Sequence, residues 1–115
     1  ENIGNDALDF SGSDVIVKRF YANNIGDKGI SAGEESKIKI FESSIKNSLI
    51  GIASKDSSVV RVDNIIFENN ANDYAAYKKK DEFNGGKIYV KSSLLKSLKI
   101  LKDNQSDIIF SYEEI

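Results

Sequence analysis

A chain of 115 residues makes one domain, long enough to bury a core without disulfides or a metal and too short for a second. Its 16 Lys and Arg against 18 Asp and Glu leave a net charge of −2, so there is no global basic field to draw in nucleic acid. Without a single His or Cys, imidazole and thiolate chemistry is excluded, and with it Ser-His-Asp and Cys-His catalysis and the usual zinc sites.

In chain order, the first element is Asp6-Ala7-Leu8-Asp9, followed by the polar turn Ser11-Gly12-Ser13-Asp14 and the alternating strand Val15-Ile16-Val17. The same kit then returns. Lys28-Gly29-Ile30-Ser31, Ile50-Gly51-Ile52-Ala53 and, more loosely, Asp73-Tyr74-Ala75-Ala76 put an apolar anchor at Leu8, Ile30, Ile52 and Ala75, with separations of 22, 22 and 23. The turns Gly33-Glu34-Glu35-Ser36 and Lys55-Asp56-Ser57-Ser58 lead into strands Ile38-Lys39-Ile40 and Val60-Arg61-Val62, and Ile88-Tyr89-Val90 is a fourth strand of this type. Five residues after each strand sit Ala22, Ile45, Phe67 and Leu95, and two further on Asn24, Asn47, Asn69 and Ser97.

A period of about 22 residues with three short strands and no helical spacing predicts an all-β fold, a parallel β-helix of about four coils and a partial fifth. The whole of residues 1–115 forms one such domain, with coils at about 5–26, 27–48, 49–70 and 71–98 and the partial coil at 99–115. The strand pattern alone also fits an antiparallel sandwich, but a sandwich does not require homologous positions at a fixed period. Three buried files are expected: Leu8, Ile30 and Ile52; Val17, Ile40, Val62 and Val90; and Ala22, Ile45, Phe67 and Leu95. The matched asparagines are expected in left-handed turns, each bonded to its copy in the next coil. The outward file beside the first strand reads Asp9, Ser31, Ala53, Ala76, and Asp6 is expected to pair with Lys28 across coils.

The phrases Gly26-Asp27-Lys28-Gly29-Ile30-Ser31 with Gly33-Glu34, Gly51-Ile52-Ala53-Ser54-Lys55-Asp56, and Lys79-Lys80-Asp81-Glu82-Phe83 resemble those of right-handed parallel β-helix repeat proteins of the pectin-lyase-like superfamily, in particular repeat regions of bacterial surface or secreted proteins. The resemblance spans about residues 5 to 98. It implies a right-handed coil and an extracellular or cell-surface setting, and it implies no catalysis for this chain. The lyases of that superfamily pair clustered acids around calcium with an Arg or Lys base. Here the file beside the first strand holds one carboxylate, and Arg19 and Arg61 fall on different parts of their coils. No catalytic residue, cofactor or metal site is therefore assigned. The expected function is a noncatalytic module, a rigid scaffold or a carbohydrate or cell-surface binding element; the alternative is a fragment of a polysaccharide lyase or hydrolase with its catalytic coils upstream.

The fourth coil carries an insertion, with thirteen positions from Ala75 to Ile88 where earlier coils have eight. Its surplus, Lys78-Lys79-Lys80-Asp81-Glu82-Phe83-Asn84-Gly85-Gly86, is expected to project from the solenoid. Tyr74, Tyr77, Lys78, Lys79, Lys80 and Phe83 are the candidate ligand-binding residues, suited to an anionic glycan or surface polymer by charge and stacking; the competing reading is local structure, with Phe83 folded back. Nucleic acid is not an expected partner, because no phosphate cradle or stacking motif is present. Apolar runs of three or four residues, such as Val15-Ile16-Val17, predict no membrane insertion.

At the ends, Glu1-Asn2-Ile3-Gly4 caps the first coil poorly, which predicts more β-helix or an end-to-end contact there. The start at Glu1 without Met is expected of an excised or processed piece. Leu101 and Ile109, eight apart, read as the partial fifth coil, closed by the tail Tyr112-Glu113-Glu114-Ile115. Lys87, Lys91, Lys96, Lys99 and Lys102 are expected to be solvated, edge-protecting lysines.

Overall fold

The structure, a computed structural model, describes residues 6–92 and 99–112. Nine strands follow one another, with no helix among the described residues: β1 (Leu8–Ser11), β2 (Asp14–Lys18), β3 (Tyr21–Gly33), β4 (Lys37–Lys55), β5 (Val59–Glu68), β6 (Asn72–Tyr77), β7 (Lys87–Ser92), β8 (Ile100–Lys102) and β9 (Asp107–Tyr112). Every pairing between them is parallel. Alternating apolar strands at a 22-residue period can bury their inner side chains only by lying on the coil before, and the result is a β-solenoid of about four turns.

Long strands bend at corners, which divides the wall into three faces. Face one comprises β1, residues 28–33 of β3, 50–55 of β4, β6 and β8. Face two comprises β2, residues 37–41 of β4, 59–63 of β5, β7 and β9. Face three comprises residues 21–25 of β3, 43–48 of β4 and 65–68 of β5. The corners are columns of left-handed residues. Arg19, Glu42 and Asn64 (φ 53°, 47° and 62°) turn face two into face three, and Asn24, Asn47 and Asn69 (φ 57°, 54° and 57°) turn face three into face one. Gly12, Glu34 and Asp56 (φ 57°, 51° and 54°) begin the turn from face one to face two. At the first two corners a lone left-handed residue redirects the chain, and Asn tolerates that conformation better than most side chains do; at the third, Glu35 and Ser57 (both φ 63°) follow in the same conformation and the strands end.

The asparagine ladder forms with one change of partner. Asn69 Nδ2 donates to Asn47 Oδ1 at 2.6 Å as expected, but Asn47 Nδ2 donates to Asn23 Oδ1 at 2.7 Å rather than to Asn24. A second, unexpected ladder runs through serines at the corner between faces one and two. The Ser13 N–H donates to Ser36 Oγ, the Ser36 N–H to Ser58 Oγ, and the Gly86 N–H to Ser106 Oγ.

Inside, the file Val17, Ile40, Val62 and Val90 is stacked as expected and extends to Phe110, and Ala22, Ile45 and Phe67 are in register. Leu95 and Ser97 lie outside the described residues. The first file needs correction in the fourth coil. Ile52 pairs with Tyr74, not Ala75, so the period there stays at 22. Tyr74 is 1% exposed and packs edge-on against Phe67 and Phe110. Ala75 instead follows Asp9, Ser31 and Ala53 on the outward side, while Ala76 stands over Ser54 and belongs to the core. The aromatic ring fills the interior; the alanine methyl could not. The same one-residue slip applies to the fifth coil, where Ile100 and Ile108 are the inward pair, in register with Tyr74 and Ile88, and Leu101 and Ile109 point outward. Lys102 occupies the inward column above Ala32, Ser54 and Ala76, with Nζ 3.4 Å from the Ser106 carbonyl.

Two glycines let face three's side chains reach across. A Cβ on Gly29 would lie 2.8 Å from Ile45 Cγ2, and one on Gly51 would lie 2.5 Å from Phe67 Cε1. The Gly-Ile repeat is thus a packing signature. Among buried polar groups, Asn70 is the most heavily used: its Oδ1 accepts from the Ser48 N–H and hydroxyl, and its Nδ2 donates to the Ile45 carbonyl at 3.1 Å and lies 3.3 Å from Asp73 Oδ1. Asn70→Ala strands these groups away from water and should cost roughly 3 kcal/mol in urea unfolding, against a few tenths for the exposed Asn69→Ala.

Candidate functional site

With Tyr74 as the anchor, the fourth coil takes fourteen positions to reach Ile88, an insertion of six between Tyr77 and Lys87. Its base does not project freely. Lys79 and Lys80 both donate their N–H groups to Asp56 Oδ1, at 2.7 and 2.9 Å, and the Lys78 N–H donates to Asp103 Oδ2 at 2.7 Å. Asn84 exchanges bonds with Ser57, its N–H donating to the hydroxyl and its carbonyl accepting from the Ser57 N–H. The loop is therefore clamped between the turn below, which supplies Asp56, and the turn above, which supplies Asp103. Lys79 to Glu82 and Asn84 are exposed, while Lys78 and Phe83 are half-buried and Gly85 and Gly86 are buried.

These clamps disperse the residues expected to bind a ligand. Tyr74 is in the core and offers no ring to a ligand. Tyr77 is half-buried on Ala53 and Ala75; that burial raises the pKa of its phenol, and the Lys28 ammonium opposes the shift. Lys78 and Phe83 are half-buried, and the Lys80 ammonium is spent on Glu34 Oε1 at 3.2 Å, leaving Lys79 as the exposed cation. Lys28 itself meets Asp27 at 3.1 Å and Asp6 at 3.8 Å, the latter being the expected pair between coils. Partial burial works against its charge, but the Asp27 hydrogen bond and neighbouring charges hold its pKa above the usual lysine value.

The Asp103 carboxyl sits below the usual carboxylate range because the Ser106 hydroxyl and the Lys78 amide donate to it. A depressed folded-state pKa means that the clamp's contribution is complete above the unfolded value and is lost as pH falls through the folded one. Amide exchange at Lys78, corrected for the intrinsic rate, should therefore rise on acidification below about pH 4, and Asp103→Asn should remove that dependence.

Cationic and aromatic side chains converge instead on the outer side of face two. Because side chains alternate along a strand, each rung offers three positions outward. The register stacks them into the columns Asp14, Lys37, Val59, Lys87, Asp107; Ile16, Lys39, Arg61, Tyr89, Ile109; and Lys18, Phe41, Asp63, Lys91, Ser111. Six cations stand against three carboxylates on a chain whose net charge is −2. At the centre the Arg61 guanidinium lies 4.7 Å from the centroid of the Tyr89 ring, a cation-π contact between neighbouring rungs.

Two open grooves of about 420 Å³ each run over this face. One is lined by Lys39, Phe41, Arg61, Asp63, Tyr89 and Lys91 among others, the second by Ile16, Lys18, Arg19, Lys39, Phe41 and Glu42. None of the ion pairs among the described residues engages Lys18, Lys39 or Arg61. Such a surface suits a ligand that carries separated negative charges and flat apolar faces, since Arg and aromatic rings offer charge and stacking together. The expected binding residues did not include this face, although the alignment of Ile38-Lys39-Ile40, Val60-Arg61-Val62 and Ile88-Tyr89-Val90 already placed Lys39, Arg61 and Tyr89 one above another.

Elsewhere the acids serve the backbone. Asp6 accepts from the Lys28 N–H and Asp73 from the Lys99 N–H, as Asp56 and Asp103 do for the loop. Among the described residues no group of three or more acids is placed to hold a metal ion. Comparison with known proteins finds no matching family model, no matching curated protein and no matching solved structure.

Proposed function

We propose that the chain is a noncatalytic β-helix module of pectin-lyase-like type from a bacterial surface or secreted protein, a rigid scaffold that carries a binding face for an acidic glycan or surface polymer. The observation behind this reading is the column Lys39, Arg61, Tyr89 on face two, with Phe41 and Lys91 beside it. A β-solenoid fixes such a column in space because each rung is bonded to the next along its length, so the charges are preorganised for an extended partner. The commitment of Asp6, Asp56, Asp73 and Asp103 to backbone amides favours a noncatalytic role, since each already stabilises a turn or a coil junction. The surface or secreted setting rests on the resemblance of the repeat phrases.

The test is binding of a polyuronate to the purified chain at about 20 mM salt, compared with a neutral glucan of similar length. The acidic polymer should bind, and binding should fall steeply as the Debye length shrinks from roughly 20 Å to 8 Å at physiological ionic strength. Arg61→Ser should weaken it about fivefold or more, the effect of about 1 kcal/mol from one charge-assisted contact, with melting little changed because Arg61 is exposed. Equal binding of the neutral glucan, or none of either, would refute the reading.

A further inference from the structure

We infer that face two is also a membrane-contact face: it lies on an anionic lipid surface, its cations among the headgroups and Ile16 and Ile109, the two ends of its central column, entering the interfacial layer. This goes beyond the reading of the face as a glycan binder, because it gives a role to residues that a sugar polymer does not need. The central column runs Ile16, Lys39, Arg61, Tyr89, Ile109. Its isoleucines are 58% and 46% exposed, large apolar side chains turned to water on a face whose other outward positions are mostly charged.

Across face two, β2, β4, β5, β7 and β9 pair in unbroken register, so the outward side chains rise from one surface and can meet a plane together. Four steps of about 4.8 Å put Ile16 and Ile109 roughly 19 Å apart, with Lys39, Arg61 and Tyr89 between them. Lys18, Lys37, Lys39, Arg61 and Lys87 are exposed, and they outnumber the carboxylates Asp14, Asp63 and Asp107 even with Lys91 left out of the count. Such a surplus of positive charge concentrates a protein at an anionic leaflet, and apolar side chains on the same side then enter the boundary between headgroups and acyl chains. Lysine and arginine stems bend aside, which keeps their charges at headgroup level while the shorter isoleucines reach inward. Tyr89, half-buried between them, adds an aromatic ring with a polar tip, a side chain suited to that boundary.

The contact is peripheral: no helix among the described residues is long and apolar enough to cross a membrane, and the face rests on the bilayer. An acidic peptide or polymer would satisfy the cations but leave both isoleucines in water, and lipid is therefore the partner that uses the whole column.

The experiment is co-sedimentation of the whole chain with vesicles of phosphatidylcholine alone and of an equimolar mixture with phosphatidylglycerol, at about 20 mM salt. It is repeated with the double variant Ile16→Ser/Ile109→Ser, with Arg61→Ser and with Ile66→Ser. Ile66 is 55% exposed but belongs to face three, which makes it the control for orientation. The anionic vesicles should bind and the neutral ones should not. The double isoleucine variant, its charge unchanged, should bind anionic vesicles about fivefold or more weakly and polyuronate as the unaltered chain does. Arg61→Ser should weaken both ligands and Ile66→Ser neither. All four side chains are exposed, so melting should change little in every variant.

Anionic vesicles that do not bind, or that bind the double isoleucine variant as well as the unaltered chain, would overturn the membrane contact, with glycan binding intact if polyuronate still binds. An equal loss with Ile66→Ser, or equal binding of neutral vesicles, would overturn it too. Vesicle binding with the predicted pattern but no polyuronate binding would uphold the membrane contact and refute the glycan.

Discussion

Tyr74→Ala is expected to destabilise the chain by about 4 kcal/mol, the cost typical of deleting a fully buried aromatic ring. The ring fills the solenoid interior at its fourth rung, 4.8 Å from the Phe67 centroid at 86° and 6.0 Å from that of Phe110 at 74°. Its loss removes two edge-to-face contacts and opens a cavity that Ile52 below and Ile100 above cannot close without shifting their strands. Thermal unfolding should show a midpoint lowered by roughly 15 °C. Ala75→Ser, one position along, adds one hydroxyl to the small buried cluster of Ile50, Ala53 and Ala75 on the outer side of the wall and should cost about 1–2 kcal/mol, half as much or less. If Tyr74→Ala and Ala75→Ser melted alike, the inward assignment of Tyr74 would be wrong.

Gly86→Ala should be at least as damaging, by about 3 kcal/mol or more, for the opposite reason. A Cβ at Gly86 would sit 1.9 Å from the Ser54 carbonyl oxygen and 2.4 Å from its carbon, both backbone atoms of the rung below. No rotamer relieves that clash, so the fourth coil must lift off the third, breaking the Lys87 N–H bond to the Ser58 carbonyl. Gly33→Ala is the matched control. Its added methyl would meet the Cε of Lys55 at 3.3 Å, the far end of a flexible side chain, and the substitution should be neutral or stabilise by up to about 1 kcal/mol through the unfolded chain. Urea unfolding of the pair reads the difference directly.

Much of the architecture is legible in the residues. The Gly-Ile repeat and the alternating strands set the 22-residue period because each inward side chain must find its copy one coil below. The fourth coil departs from this where residue type misleads. Tyr74 has a polar hydroxyl and a neighbour, Ala75, that resembles a small core residue, and the choice between them depends on interior volume, which no local pattern records. The slip then carries into the fifth coil, where Ile100-Leu101 and Ile108-Ile109 are apolar at both candidate positions.

The proposed binding face was harder to place, for a physical reason of a different kind. A lysine run beside aromatics attracts attention in the sequence, but Asp56 and Asp103 come from turns 22 and 25 positions away from Lys78 and clamp the loop that holds the run. The face-two column has no contiguous motif at all. Lys39, Arg61 and Tyr89 are separated by 22 and 28 positions, and only the stacking brings them together.

That stacking is tested most directly by nuclear Overhauser contacts from the Ile52 methyls in the folded chain. The account predicts contacts to the Ile30 methyls on one side and to the Tyr74 ring on the other. Contacts from Ile52 to the Ala75 methyl in place of the Tyr74 ring, or none to Ile30, would contradict it.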